Sequence, residues 1–187
     1  MRKTIELGAL FILLVAFTLA TDITAFAGTA QANTGTSACR DFVQGFYNWY
    51  IPLHAKGNAS KDSYAMKTKP AMFSSELKQK LEADEKASAK SPGEIVGLDF
   101  DPFVNAQDDP GKMVARKATM KGANCFVEVF RTDGDTKQSK ADVTPELTQK
   151  NGSWVFVNFH YPRSEGSGPS DLIGILKGLA ADRSQHK

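Results

Sequence analysis

Hydrophobic positions change their period along this chain, and each change marks an element. Near the start, Leu7 to Ala20 is an uncharged apolar run. From Ser37, the residues Phe42, Phe46, Trp49, Tyr50 and Leu53 recur at offsets of four, seven, eight and eleven, the period of a helix, with Pro52 at its end. The polar stretch AKGNASKDSYAMKTKP that follows has no period and reads as a loop or a short lid. A second helix is expected near Ser74, capped by Ser74 or Ser75, with Leu77 and Leu81 as a narrow apolar side and Ser91-Pro92-Gly93 as its stop. Beyond residue 110 the period falls to two. In NCFVEVFRT, Cys125, Val127 and Val129 oppose Phe126, Glu128 and Phe130. In SWVFVNFHY, Trp154, Phe156, Asn158 and His160 share one face and Val155, Val157, Phe159 and Tyr161 the other. Asn151-Gly152 predicts a tight hairpin, because both residues tolerate positive φ. Lys121 to Asn124 predicts another, entered from a weaker strand over Met113 to Met120. A linker near 163–169 then leads to a final helix with Leu172, Ile175, Leu176 and Leu179 on one stripe. Helices, then an antiparallel meander of about four strands, then a closing helix make an α+β domain with helices over one face of a curved sheet.

The ends and the charge place that domain. Met1-Arg2-Lys3 followed by a fourteen-residue uncharged run is too short for a membrane span, which takes about 20 residues, and reads as a secretory signal peptide over residues 1–32. Cleavage fits Ala25-Phe26-Ala27 before Gly28 or, preferred here, Ala30-Gln31-Ala32 before Asn33, leaving residues 33–187 as one domain. No cysteine follows the apolar run directly, so the mature form is expected without a stable membrane anchor, in the periplasm or secreted. The full chain has 23 basic and 21 acidic residues; processing removes two of each and leaves the net charge at +2. That balance offers no basic stripe for nucleic acid. Lysines from Lys78 to Lys90 alternate with Glu82, Asp84 and Glu85 as a solvated helix face. Cys39 and Cys125, 86 positions apart in an oxidising compartment, are expected to pair, and neither has the C-x-x-C spacing of a redox catalyst.

Candidate chemistry gathers in LDFDPFVNAQDD, residues 98–109. Asp99 and Asp101 begin like a calcium loop, but Phe103, Val104 and Pro110 stand where an EF-hand needs an oxygen donor, glycine and glutamate, so no metal site is assigned; Asp99, Asp101, Asn105 and Asp108 could form only an irregular one. A catalytic reading joins Asp99 or Asp101 to His160 as a carboxylate–imidazole proton-transfer pair. A binding reading uses Asp101, Asn105, Asp108, Asn158 and Tyr161 as pocket polar groups. The architectural reading, preferred for this segment, has the aspartates and asparagine bonding nearby backbone N–H groups while Phe100 and Phe103 anchor the loop. No nucleophile elbow and no phosphate loop occurs, and no cofactor is implied.

The ordered motifs FVQGFYNWYI, SPGEIVGLDFDPFVNAQD, NGSWVFVNFHYP and DLIGILKGL resemble the bacterial domain-of-unknown-function 3828 family over roughly Cys39 to Leu179. The resemblance implies a secreted or lipid-anchored protein with a nuclear transport factor 2-like fold, a cone of curved antiparallel sheet around helices. It carries no catalytic residues. The expected function is a non-catalytic exported module binding a small envelope ligand or a protein. The alternative is a small isomerase- or hydrolase-like pocket enzyme with an Asp/His pair.

Overall fold

The computed structural model describes residues 24–56, 61–91, 96–132, 139–162 and 170–185. Helix α1 (Thr24–Tyr50) continues through a 3-10 segment (Ile51–Lys56) to α2 (Lys61–Thr68), a 3-10 turn (Pro70–Met72) and α3 (Ser75–Ser88). Strands β1 (Met113–Lys121), β2 (Asn124–Arg131), β3 (Thr144–Lys150) and β4 (Ser153–His160) follow, then α4 (Leu172–Gln185). The sheet is an antiparallel meander in the order β1-β2-β3-β4. The fold class is therefore α+β, as the changing period implies.

Local chemistry explains most boundaries. Ser74 accepts from Leu77 N at 3.2 Å and caps α3. Asn151 and Gly152 have φ of 52° and 77° and close the β3–β4 hairpin. Most of the expected signal segment, residues 1–23, lies outside the described residues, as do Pro92-Gly93 and the 163–169 linker. Helix α1 starts well before Ser37 and runs through both expected cleavage motifs. Its first turns are rich in alanine, threonine and glycine, so they lack the apolar stripe that periodicity detects. The stretch expected as a loop contains α2, a helix short enough to escape the same test, with Ser63, Ala65 and Met66 buried.

The core lies between α1 and one face of the sheet. Cys39, Val43, Phe46, Tyr47 and Tyr50 of α1 pack with Val127, Leu147, Phe156 and Phe159. Phe46 sits at its middle, with ring centroids 5.0–5.9 Å from Tyr47, Tyr50, Phe73, Phe103 and Phe156. The Cys39–Cys125 disulfide joins α1 to β2 as expected. Gln44 completes the α1–β1 contact: its Oε1 accepts from Ala115 N at 2.8 Å and its Nε2 donates to Met113 O at 3.3 Å, beside a bulge between Ala115 and Ala118.

Strict alternation fails in β4. Asn158 pairs with Glu146 but Phe156 with Leu147, so Val157 is an extra residue. Phe156 and Phe159 consequently both reach the core, at 0% exposure, although alternation assigns them to opposite faces. Asn158 and His160 are turned to the face away from the core.

Candidate functional site: an acidic cleft

The acidic segment folds on itself. Asp101 N donates to Ala106 O at 2.8 Å, Asp101 Oδ1 accepts from Phe103 N at 2.9 Å, and Asp109 Oδ1 accepts from Gly111 N at 2.9 Å. Phe103 and Val104 are fully buried, whereas Phe100 packs edge-on against Tyr161 at 5.6 Å. Asn105 adopts φ 52° and its amide donates to Asp142 O at 3.1 Å.

This fold aims Asp101 at the end of α1. Tyr50 is buried and donates its hydroxyl to Asp101 Oδ2 at 2.6 Å. His54, with a side chain 3% exposed, places Nε2 3.1 Å from the same oxygen. That separation suits an ion pair if the ring is protonated, but the direction is wrong for a hydrogen bond, and Nε2 has no hydrogen-bond partner among the described residues. Burial, then the negative Asp101, pushes the Tyr50 and Tyr47 hydroxyls well above the usual phenol range. Both remain protonated donors at neutral pH, Tyr47 to Phe103 O at 2.7 Å. Burial likewise raises Tyr161, whose hydroxyl donates to Pro102 O at 2.9 Å.

Beside Asp101 opens a cleft of about 280 Å³ between α2, α3 and the acidic segment. Asp62, Asp84, Glu85 and Asp101 line it with Lys61, Ser88 and Gln107, and Leu81, Leu98 and Phe100 give it an apolar side. Besides Asp101, two of the four carboxylates have side-chain or backbone partners from other elements. Asp84, 4% exposed, accepts from Leu98 N at 2.9 Å and Arg183 Nη1 at 2.7 Å, and the same guanidinium nitrogen donates to Val96 O at 2.6 Å. A Cβ at Gly97 would fall on Asp84 and Ser88 side-chain oxygens, so a glycine is needed where this strand of chain presses on α3. Glu85 accepts from Ser63 Oγ at 3.0 Å, with Lys67 3.9 Å away. Asp62 stands in the first turn of α2 and makes no ion pair with a described residue. Burial, reinforced by Asp101 and Glu85, raises its pKa to about 6, against a partial pull from the backbone N–H groups of its own turn.

The raised value fixes a pH dependence. Folded Asp62 binds its proton more tightly than the unfolded carboxyl does, so the penalty present at neutral pH begins to shrink as pH falls through about 6 and is gone below the unfolded value, about 4. Stability therefore rises from pH 7 to pH 5 through this group. The full shift of about two pK units corresponds to about 3 kcal/mol, of which less than half is recovered between pH 7 and pH 5, and partial exposure reduces the expected gain to about 0.5–1 kcal/mol. Urea unfolding at the two pH values should show this gain in the wild type and lose it in Asp62→Asn. An unchanged pH response in the variant would assign the effect elsewhere.

Of the candidate site residues singled out from sequence, only Asp101 lines this cleft. Asp99 is exposed and accepts from Gln107 at 3.4 Å; Asp108 is exposed too. Among the described residues, no three His, Cys, Asp or Glu side chains are close enough to hold a metal ion. His160 does not meet Asp99 or Asp101. It bonds Glu146 Oε2 at 2.8 Å beside Phe126, while Asn124 donates to Glu146 Oε1 at 2.6 Å. Asn158 Oδ1 accepts from Ile173 N at 3.0 Å and its amide donates to Asp171 at 2.9 Å, fastening the start of α4. Burial alone would raise Asp171, but Asn158, Gly174 N–H, His160 and Lys177 hold it below the usual carboxylate range.

Sequence reasoning missed His54, Asp62 and Asp84. His54 extends the Phe46–Tyr50 spacing by another four residues, and Asp84 falls seven after Leu77, on the buried side of α3 rather than its solvated face. Those offsets were the available signals. Asp62 had none, because α2 itself was not apparent. None of the described helices is long and apolar enough to cross a membrane. Compared with known proteins, the chain matches no family model, no curated protein and no solved structure.

Proposed function

We propose that this protein is an exported, non-catalytic binding module of the nuclear transport factor 2-like kind, related to the domain-of-unknown-function 3828 family, that takes a small envelope ligand in the acidic cleft. The helix–meander–helix order supports the fold assignment, and the basic start, apolar run and disulfide support export. One observation carries the functional reading: Asp101 commits both oxygens to internal donors, yet beside it a polar cleft of about 280 Å³ stays open. That size is close to the lower end of small-molecule sites, about 300–1,000 Å³.

Thermal melting against neutral sugars, carboxylates, amino acids and amines tests the reading. A cleft ligand should raise the midpoint by several degrees at saturation, and the plugging variant Gln107→Trp should abolish the shift. Shifts that survive the plug would remove the cleft from consideration, and consumption of the ligand would replace a binder by an enzyme. The Asp101–His54 contact is the one observation favouring that second reading, an isomerase- or hydrolase-like pocket enzyme. In that case His54→Gln should abolish turnover while preserving binding.

A further inference from the structure

We propose that the cleft ligand is a linear organic polycation, a diamine or polyamine, whose ammonium groups engage Asp62 and Asp101. The inference rests on the cleft being a binding site and specifies what it binds. Arg183 already neutralises Asp84, and Ser63 with Lys67 attends Glu85. Asp62 pairs with no cation among the described residues and Asp101 faces only the His54 ring, behind the cleft, leaving Lys61 as the cation among the residues that line it.

Several observations narrow the ligand. No three acidic or imidazole groups among the described residues come together as a metal shell, so the negative charge is spread along the cleft. Charge distributed in that way suits a ligand with separated cationic centres. The apolar side formed by Leu81, Leu98 and Phe100 suits the methylenes between them. Arg183 gives an internal precedent, since its guanidinium is held on this wall by a carboxylate and a carbonyl together. Independently, the buried His54 Nε2 faces Asp101 Oδ2 without a hydrogen bond. That nitrogen is a buried polar atom left unpaired among the described residues, at the carboxylate that the ligand would reach.

The charged surroundings of Asp62 are Lys61 and Lys67 on its own helix, Asp84 and Glu85 on α3, and Asp101 on the acidic segment. Because Asp62 ionises near pH 6, the ligand is held at pH 7.5 and released at pH 5.0.

Calorimetric titration of the oxidised protein with spermidine, putrescine and magnesium chloride tests this. Spermidine should bind at pH 7.5. Affinity should fall at least tenfold at pH 5.0 and in Asp62→Asn, rise in Lys61→Ala, and stay unchanged in Asp41→Asn, which alters an exposed acid on α1. Near-UV circular dichroism confirms that the variants are folded. Equal binding by Asp62→Asn, or displacement by equimolar magnesium, overturns the proposal. Absence of spermidine binding also overturns it; a neutral or anionic compound that shifts the melt and is blocked by Gln107→Trp would then leave the binding-module reading standing. If no compound gives a plug-sensitive shift, both fall.

Discussion

Asp101→Ala should lower the unfolding free energy by about 3–4 kcal/mol, although it removes no core side chain. The carboxylate accepts from Tyr50 and from Phe103 N. Hydrogen bonds to charged groups contribute about 1.5–3 kcal/mol each, and a buried donor left unpaired costs about 1–3 kcal/mol. Tyr50, at 0% exposure, would be such a donor. Asp101→Asn should cost less, because the amide oxygen can still serve one donor. It should also bring the Asp62 pKa down from about 6, since the neighbouring negative charge is gone. Urea unfolding of the oxidised proteins measures the first effect, and an NMR titration of Asp62 the second. A loss below about 1 kcal/mol for Asp101→Ala would show that the acidic segment is held chiefly by Phe103 and Val104.

Removing the disulfide should cost about as much or more. Cys39 and Cys125 are both fully buried and bridge 86 positions, for which chain entropy alone gives roughly 4–5 kcal/mol. The Cys39→Ala/Cys125→Ala double variant should therefore melt about 10–15 °C below the oxidised wild type, taking about 2–4 °C per kcal/mol for a domain of this size. Wild type under strong reductant should fall similarly. A drop of only a few degrees would mean that the contacts of α1 with the sheet already hold the helix in the unbridged chain.

What could be read in advance depended on how local the controlling interaction is. The Asn151-Gly152 turn, the Ser74 cap and the alternation of Cys125, Val127 and Val129 are set by neighbouring residues, and all appear as expected. The pairing of Cys39 with Cys125 followed from there being two cysteines. The self-bonded character of residues 98–109 was also legible, since Asp101 and Asp109 have backbone N–H groups two residues ahead within reach. The cleft was not. It depends on α2, whose eight residues carry too few apolar positions to show a period, and on long-range partners such as Arg183 and Asp84, 99 positions apart. His160 drew attention as a histidine of the last strand, whereas His54 is the imidazole beside the acid.

The extra residue in β4 explains that exchange. Up to Phe156 the even-numbered side chains face inward; after Val157 the odd-numbered ones do, so the strand carries two phases joined at one residue. Had Val157 taken a regular place in the ladder, a single phase would run through the strand: either Phe159 would leave the interior or Phe156 would. If the first half kept its setting, His160 would swing inward with Asn158, leaving Glu146 and bringing a second imidazole to the core side. The bulge at Val157 thus decides which histidine the acidic segment can meet.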